Sequence, residues 1–415
     1  MKFLLESNPA FLLLEVENNE YVFYNSLQHI GARLSRLEVQ ILDLVYTYQD
    51  KEYIMSKFSE PQRTLISNAI SSIEEHLLLK CEEILPPENI NINYPTTYYI
   101  HLTYRCNLSC TYCYNKTIRK QLREDLNLNE WKRIIDKIIP YAKQIVFTGG
   151  ECLLYEGIAE LMHYIKSMND EITIAVISNG MHNFEEIAKT KIFSYISELS
   201  LSCDSMHQEG ERKGFDPSLF RANIEWIKNN APNVSLSLSS VYTCRNRSEI
   251  ERTKKFCHDN ELSFSATVIL PESASEIELM PSIEEIYNDS IILQGNSKKD
   301  KLNVPRFRCE AGRAVCSIAP NGDVFPCQSL HYPELLMGNL ITEEIDNLNR
   351  DIGIKRVTDI DVCSRCNVKY ICGGGCLATG YAFYGHRFDR NHLTCHLNRH
   401  NAIEILKSLD NRLNR

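Results

Sequence analysis

Apolar residues come in two rhythms along this chain. The stretch FLLLEVENNEYVFY (11–24) reads as two apolar strands around a turn at Asn18-Asn19. Ser35 and Glu38 then stand at capping-box spacing, and Leu37, Ile41, Leu44, Val45 and Tyr48 follow at the helical period. A second short helix is expected from Asp50. A third carries Ile66, Ala69, Ile70, Ile73 and Leu77 on one face. A hairpin followed by three helices makes a small winged-helix-like module over residues 1–83. The Pro- and Asn-rich ILPPENININYP (84–95) reads as a linker.

From Tyr98 short apolar runs alternate with amphipathic ones. Strands are expected at 98–104, 144–149, 172–178, 196–202, 234–242 and 263–270, with helices at 127–139, 156–168, 182–190, 217–230 and 247–260. Six strands alternating with helices predict an α/β domain over 96–300 built on a parallel sheet, either a partial (β/α)6 barrel of TIM-like type or a doubly wound sheet. After about residue 300 the rhythm stops. Residues 301–415 form a third, cysteine-rich unit holding eight of the 16 cysteines.

Charge and composition narrow the function. The 415 residues carry a net charge of −9, a poor match for nucleic acid or an anionic membrane. The front module alone has 7 Lys/Arg against 13 Asp/Glu, a net of −6, which argues against the DNA-binding role that a winged helix suggests. The opening MKFLLESNPA is broken by Glu6, Ser7 and Asn8, so it does not read as a signal peptide. No apolar run approaches the ~20 residues of a membrane span. The expected location is the cytoplasm, where thiols stay reduced and clustered cysteines point to metal or catalysis rather than disulfides.

The first cluster is CNLSCTYC, with Cys106, Cys110 and Cys113 on the loop that leaves the first barrel strand. No fourth cysteine lies close by, whereas a structural zinc site closes with four protein ligands. Three thiolates on a four-iron cluster leave one iron for a small molecule. The C-x3-C-x2-C spacing, with Tyr112 before the last cysteine, resembles the radical SAM superfamily. The resemblance implies a [4Fe–4S] cluster whose open iron is chelated by S-adenosylmethionine (SAM), and a 5′-deoxyadenosyl radical that abstracts hydrogen.

Further marks of that family occur in order. Thr148-Gly149-Gly150-Glu151 ends the second strand and is similar to the family's GGE motif, which holds the SAM amino group. Cys152 stands where proline is usual, either as a small residue or as a thiol beside the cofactor. Ser178-Asn179-Gly180 resembles the turn near the SAM ribose and carboxylate, and Ser240 occupies a position that often faces SAM. Asp204, with His207 and Arg212-Lys213-Gly214 after it, looks like a stretch of SPASM-type enzymes. It makes Asp204 and His207 candidate catalytic residues, unless they merely cap the loop.

The C-terminal cysteines follow the order of a SPASM domain, which implies two auxiliary [4Fe–4S] clusters. By position Cys363, Cys366, Cys372 and Cys395 would hold the second, and Cys309, Cys327 and Cys376 the first. Cys316 either completes the first or leaves it with an open iron. Thiolate sites of this kind also suit zinc. Before such an enzyme the front module resembles a RiPP recognition element, which binds the leader of a ribosomal precursor peptide by strand addition. Gln328 follows Cys327, where sulfatase-type maturases carry an aspartate base; an amide cannot take that proton. The expected activity is therefore thioether formation on a precursor peptide, with a flavodoxin or ferredoxin as reductant. A carbon–carbon or carbon–oxygen crosslink, an epimerisation, or a sulfatase-type formylglycine maturation are the alternatives.

Overall fold

The computed structural model describes residues 3–16, 19–76, 93–116, 124–269, 271, 274–282, 284–285, 308–383 and 392–409. Leu77, Cys81, most of the expected linker and Leu270 lie outside the described residues.

The front module is a three-stranded antiparallel sheet in the order β1 (Phe11–Glu15), β2 (Glu20–Asn25) and β3 (Ile30–Ser35), followed by α1 (Arg36–Tyr48), α2 (Lys51–Ser56) and α3 (Arg63–His76). The capping box closes α1: Ser35 Oγ accepts from the Glu38 amide at 3.3 Å, and the Glu38 carboxylate accepts from the Ser35 amide at 2.7 Å. A box of this kind is worth roughly 1 kcal/mol. One face of the sheet packs Phe11, Phe23, Ala32 and Leu34 on Ile41, Leu42, Ile66 and Ile70 of the helices. Strand β3 escapes the sequence reading because Gly31, Ala32 and Ser35 are poor strand formers.

The other face of that sheet meets the C-terminal helix. Val22 and Tyr24 pack with Ala402 and Leu406 of that helix, and with Val368 and Ile371 of the last cysteine loop. The Arg33 guanidinium donates to the carbonyls of Lys407 (2.7 Å) and Leu409 (2.9 Å) at the helix end and pairs with Glu20 at 2.7 Å. A cation capping the last carbonyls of a helix also complements its dipole.

The barrel sheet holds β4 (Thr97–Thr103), β6 (Gln144–Gly149), β7 (Thr173–Ser178), β8 (Glu198–Ser202), β10 (Ser235–Tyr242) and β11 (Ser263–Val268) as parallel neighbours in sequence order. Helices α4 (Leu128–Ile138), α5 (Ile158–Met168), α6 (Phe184–Ala188), α7 (Pro217–Asn230) and α8 (Arg247–Asp259) lie between them in the chain. Every expected strand and helix of this region is present, with ends shifted by one or two residues. Tyr98, Ile100 and Leu102 of β4 join Trp131, Ile134, Ile135 and Ile138 of α4 in one apolar core. The alternate residues Tyr99, His101 and Thr103 therefore face the inside of the barrel.

The sheet does not stop at the expected boundary near residue 300. Strand β12 (Val315–Ile318) pairs parallel with β4, and β13 (Asp323–Phe325) and β14 (Gly338–Asn339) extend it antiparallel. These strands are only two to four residues long, too short for periodicity to reveal. The C-terminal helix α9 (His392–Lys407) closes the described chain. Among the described residues, no helix is long and apolar enough to cross a membrane.

Candidate active site

The first cysteine loop leaves the carboxyl end of β4 and is held from two sides. On one side the Gly150 amide donates to the Thr103 carbonyl and the Glu151 amide to the Arg105 carbonyl, both at 2.8 Å. Gly149 has φ +132°, and a Cβ on Gly150 would overlap the carbonyl oxygens of Arg105 and Tyr104. The glycine pair is thus what lets the end of β6 touch the cysteine loop. On the other side β5 (Ser109–Cys110) pairs with β9 (Arg212–Lys213), setting Cys110 opposite Arg212. The Thr111 amide adds a bond to the Glu211 carbonyl at 3.0 Å.

Cys106, Cys110 and Cys113 are all half-buried on this loop. Burial pushes the Cys110 thiol up to about 11, Arg212 pulls against it, and Cys113 and Cys106 add to it, so the three sulfurs share one electrostatic neighbourhood. Cys106 Sγ accepts from the Leu108 amide at 3.4 Å and from Asn179 Nδ2 at 3.7 Å. Three soft donors on one loop with a guanidinium beside them fit an iron–sulfur cluster with a free corner.

Beside the loop, the expected SAM contacts divide. The Tyr112 hydroxyl donates to Asp204, whose carboxylate also takes the Val241 amide at 2.9 Å and lies 3.2 Å from the Arg212 guanidinium. Asp204 is buried and its pKa is raised by that burial against the pull of Arg212. It ties three segments together, through Tyr112, Val241 and Arg212. His207 is exposed, and only its backbone takes part, donating to Ser205 Oγ at 3.1 Å. The structure does not bring His207 to Asp204; this pair is a loop tie rather than an acid–base pair.

Glu151 is 1% exposed and accepts from the Asn179 amide (2.8 Å), Ser178 Oγ (2.9 Å) and the Leu153 amide (3.2 Å). It joins the turns after β6 and β7. Asn179 continues the chain of contacts to Asn107 Oδ1 at 2.7 Å on the cysteine loop. Burial raises the Glu151 pKa to about 7 in spite of these donors. A carboxylate raised in the folded state takes up protons that the unfolded chain does not hold. Its contribution is therefore full below about 4.5 and lost as pH climbs to about 7. Glu151→Gln keeps the acceptor oxygen and should flatten the fall in stability between pH 5.5 and 7.5, measured by denaturant unfolding of the SAM-free protein.

Two expectations are corrected. Ser240 shares a face with Leu236 and Leu238 of the helix-side core, and its hydroxyl donates to the Cys203 carbonyl at 2.5 Å, so it is turned away from the cavity. Cys316 stands in register with Tyr98 on β12, fully buried in the same core. Cys327 raises the pKa of Tyr99, which points the opposite way from Tyr98. Cys316 is therefore on the wrong side of the sheet to join Cys327. Cys152 is equally committed to the core, its thiol donating to the Ile177 carbonyl at 3.5 Å.

Cys309 and Cys376 both act on the Cys327 thiol, which burial pushes up to about 12. Cys363 and Cys372 ride on short helical turns and Cys366 lies on the loop between them, ahead of Gly373, Gly374 and Gly375, all three at positive φ. Arg399 of α9 donates to Cys366 Sγ at 3.7 Å and to Asn367 Oδ1 at 3.0 Å, and Cys395 lies one turn earlier on that helix. The sequence reading missed Asn179's link to Asn107 and Arg399's grip on the last cysteine loop, because their partners are distant in sequence.

A parallel barrel with three thiols at its carboxyl end defines an enzyme that works through an iron–sulfur centre. A family model described as the radical SAM superfamily matches residues 100–257, and one described as the SPASM iron–sulfur cluster-binding domain matches 309–367. The chain carries a radical SAM domain, which implies SAM and a [4Fe–4S] cluster, and a SPASM domain, which implies further iron–sulfur binding. Mycofactocin maturase MftC of Mycolicibacterium smegmatis is 23% identical over 310 residues, spanning 68% of this chain and 77% of its own. PqqA peptide cyclase of Xanthomonas axonopodis pv. citri is 22% identical over 330 residues, spanning 70% and 85%. The fold of Streptococcus suis SuiB matches with a TM-score of 0.53 at 18% identity, covering 93% of this chain and 99% of that one. SuiB has also been solved with the precursor peptide SuiA, a structure that matches with a TM-score of 0.55.

Proposed function

We propose that this enzyme modifies a ribosomal precursor peptide, forming a thioether between a cysteine sulfur and a carbon of another residue. The observation that carries the reading is the physical union of a front sheet, an auxiliary cysteine loop and a SAM-type cysteine loop in one chain. A fold match covering 93% of the chain, front module included, belongs to a protein that binds a precursor peptide. In this reading Cys106, Cys110 and Cys113 hold the SAM cluster, Cys309, Cys327 and Cys376 the first auxiliary cluster, and Cys363, Cys366, Cys372 and Cys395 the second. Bound SAM supplies the deoxyadenosyl radical that removes a hydrogen.

This chain's own residues do the positioning. Gly149 and Gly150 let the β6 turn close on the cysteine loop, while Glu151 and Asn179 lock the neighbouring turn to it. The front module, residues 1–83, binds the leader through strand addition at a sheet edge, and leader binding positions the acceptor residue. Electrons come from a small carrier such as flavodoxin or ferredoxin. Gln328 after Cys327 removes the carboxylate base of the formylglycine route.

The test is a search of the reading frames beside the gene for a cysteine-containing peptide of about 30–80 residues, co-expression with it, and mass spectrometry. A thioether removes two hydrogens per link and leaves no thiol for iodoacetamide. A loss of two hydrogens with the thiol still alkylated would shift the reading to a carbon–carbon or carbon–oxygen link, as the name of the PqqA peptide cyclase invites. An unchanged mass would overturn it.

A further inference from the structure

The front module holds a cavity to which the proposed chemistry gives no task. Its volume is about 280 Å³, and Phe3, Glu6, Leu13, Glu15, Tyr21 and Arg36 line it. Phe3, Leu13 and Tyr21 pack against the helix-side core, so the cavity lies on the face of the sheet away from α9. Its floor is apolar: the Phe3 and Tyr21 rings meet edge to face at 6.3 Å, with Leu13 completing the surface. Its rim is charged, and Glu6, Glu15 and Arg36 are all exposed. The rim groups are only partly used. Glu6 accepts from the Phe3 amide at 2.8 Å and Glu15 from the Tyr21 hydroxyl at 3.4 Å, each through one oxygen. The second oxygen of each carboxylate has no hydrogen-bond partner among the described residues, and none of the three charged groups forms an ion pair with them.

Size and chemistry narrow the occupant. Pockets for cofactors and drug-sized ligands hold roughly 300–1,000 Å³, so this smaller one suits a single long side chain. Two carboxylates stand against one guanidinium at the rim, and residues 1–83 as a whole carry 7 Lys/Arg against 13 Asp/Glu. That balance draws a cation and repels an anion. Lysine and arginine place an apolar stem below a charged head. The stem would lie on Leu13 and the two rings, and the head would reach the unpartnered oxygens of Glu6 and Glu15. Arg36 has donors for a carbonyl oxygen of the same peptide. Strand β1 is an outer strand of the sheet, with Leu13 and Glu15 at alternate positions on it. A peptide laid along β1 sends every second side chain to the face that holds the cavity.

We propose that this cavity binds a lysine or arginine side chain in the leader of the precursor peptide. The inference rests on the peptide-modifying reading above and adds a requirement to it: the leader presents a basic residue to the front module.

The test uses the full chain with its clusters reconstituted and the synthetic peptide found beside the gene, with its basic residues replaced one at a time by glutamate. Glu15→Lys reverses one rim charge at an exposed position. It should raise KM for the parent peptide about tenfold, from one lost exposed ion pair and one new repulsion, and leave kcat near wild type. Glu15→Gln keeps the acceptor for Tyr21 and should raise KM about threefold. Added salt should weaken the wild type more than Glu15→Gln, because it screens the pair that the variant lacks. One glutamate-bearing peptide should be poor with the wild type and return to within about threefold of the parent KM on Glu15→Lys, a rescue that a misfolded variant could not give. A Glu15→Lys enzyme with the wild-type KM overturns the proposal. So does a raised KM that no glutamate-bearing peptide restores. A wild type that modifies no peptide removes the peptide-modifying reading itself, and this inference with it. A wild type that works equally well on a leader stripped of basic residues removes this inference alone.

Discussion

Gly150→Ala is expected to stop SAM cleavage as completely as Cys106→Ala does. The two substitutions fail for different reasons. Cys106→Ala removes one of three soft donors, and two thiolates do not hold a four-iron cluster with a single open corner. Gly150→Ala removes no ligand. Its new methyl group would occupy the space of the Tyr104 and Arg105 carbonyl oxygens, which are backbone atoms of the two residues just before Cys106. The only relief is to part the β6 turn from the cysteine loop, breaking the 2.8 Å bonds from the Gly150 and Glu151 amides. A displacement of ~1 Å between reacting partners costs about a hundredfold in rate. Anaerobic reaction with dithionite, read as 5′-deoxyadenosine, should give less than about a hundredth of the wild-type amount for both. Iron analysis separates them: Cys106→Ala loses iron, whereas Gly150→Ala retains more of it. A Gly150→Ala enzyme cleaving SAM at more than about a tenth of the wild-type rate would show that the contact does not matter.

Cys363→Ala should leave SAM cleavage within a few-fold of wild type and yield no crosslinked peptide. Cys363 is buried beside Val357 and Tyr370, on the loop that α9 grips through Arg399, and far along the chain from the Cys106–Cys113 loop. The radical-generating step needs the first loop; the later step needs an acceptor for the surplus electron, which the proposed function assigns to the auxiliary clusters. Iron should fall by about four atoms per chain. Normal crosslinking by this variant would remove the auxiliary clusters from the mechanism. Loss of SAM cleavage together with loss of α-helical signal would instead report a folding role, and Cys363→Ser provides the smaller perturbation for that case.

How much of this was legible in the sequence depends on how local each signal is. The barrel strands and helices were readable because each carries its own period, as in α7, whose expected span of 217–230 matches the structure residue for residue. The first cysteine loop and the Gly-Gly turn were readable because they are contiguous motifs. Strand β3 was not, since Ile30, Ala32 and Leu34 alternate over only six residues that include Gly31 and Ser35, poor strand formers. Strands β12 to β14 were not, because two to four residues carry no period. Orientation was the hardest property. Ser240 and Cys316 sit at the right places along the chain, yet the alternation of a strand turns both into the helix-side core.

The grip of Arg33 on the end of α9 carries a consequence for how the molecule is held together. That one helix presents Arg399 toward the last cysteine loop, Ala402 and Leu406 toward Val22 and Tyr24, and its final carbonyls to Arg33. The front sheet and the last cysteine loop thus share a single support, and a substitution that frees this helix would uncover Val22 and Tyr24 together with Val368 and Ile371.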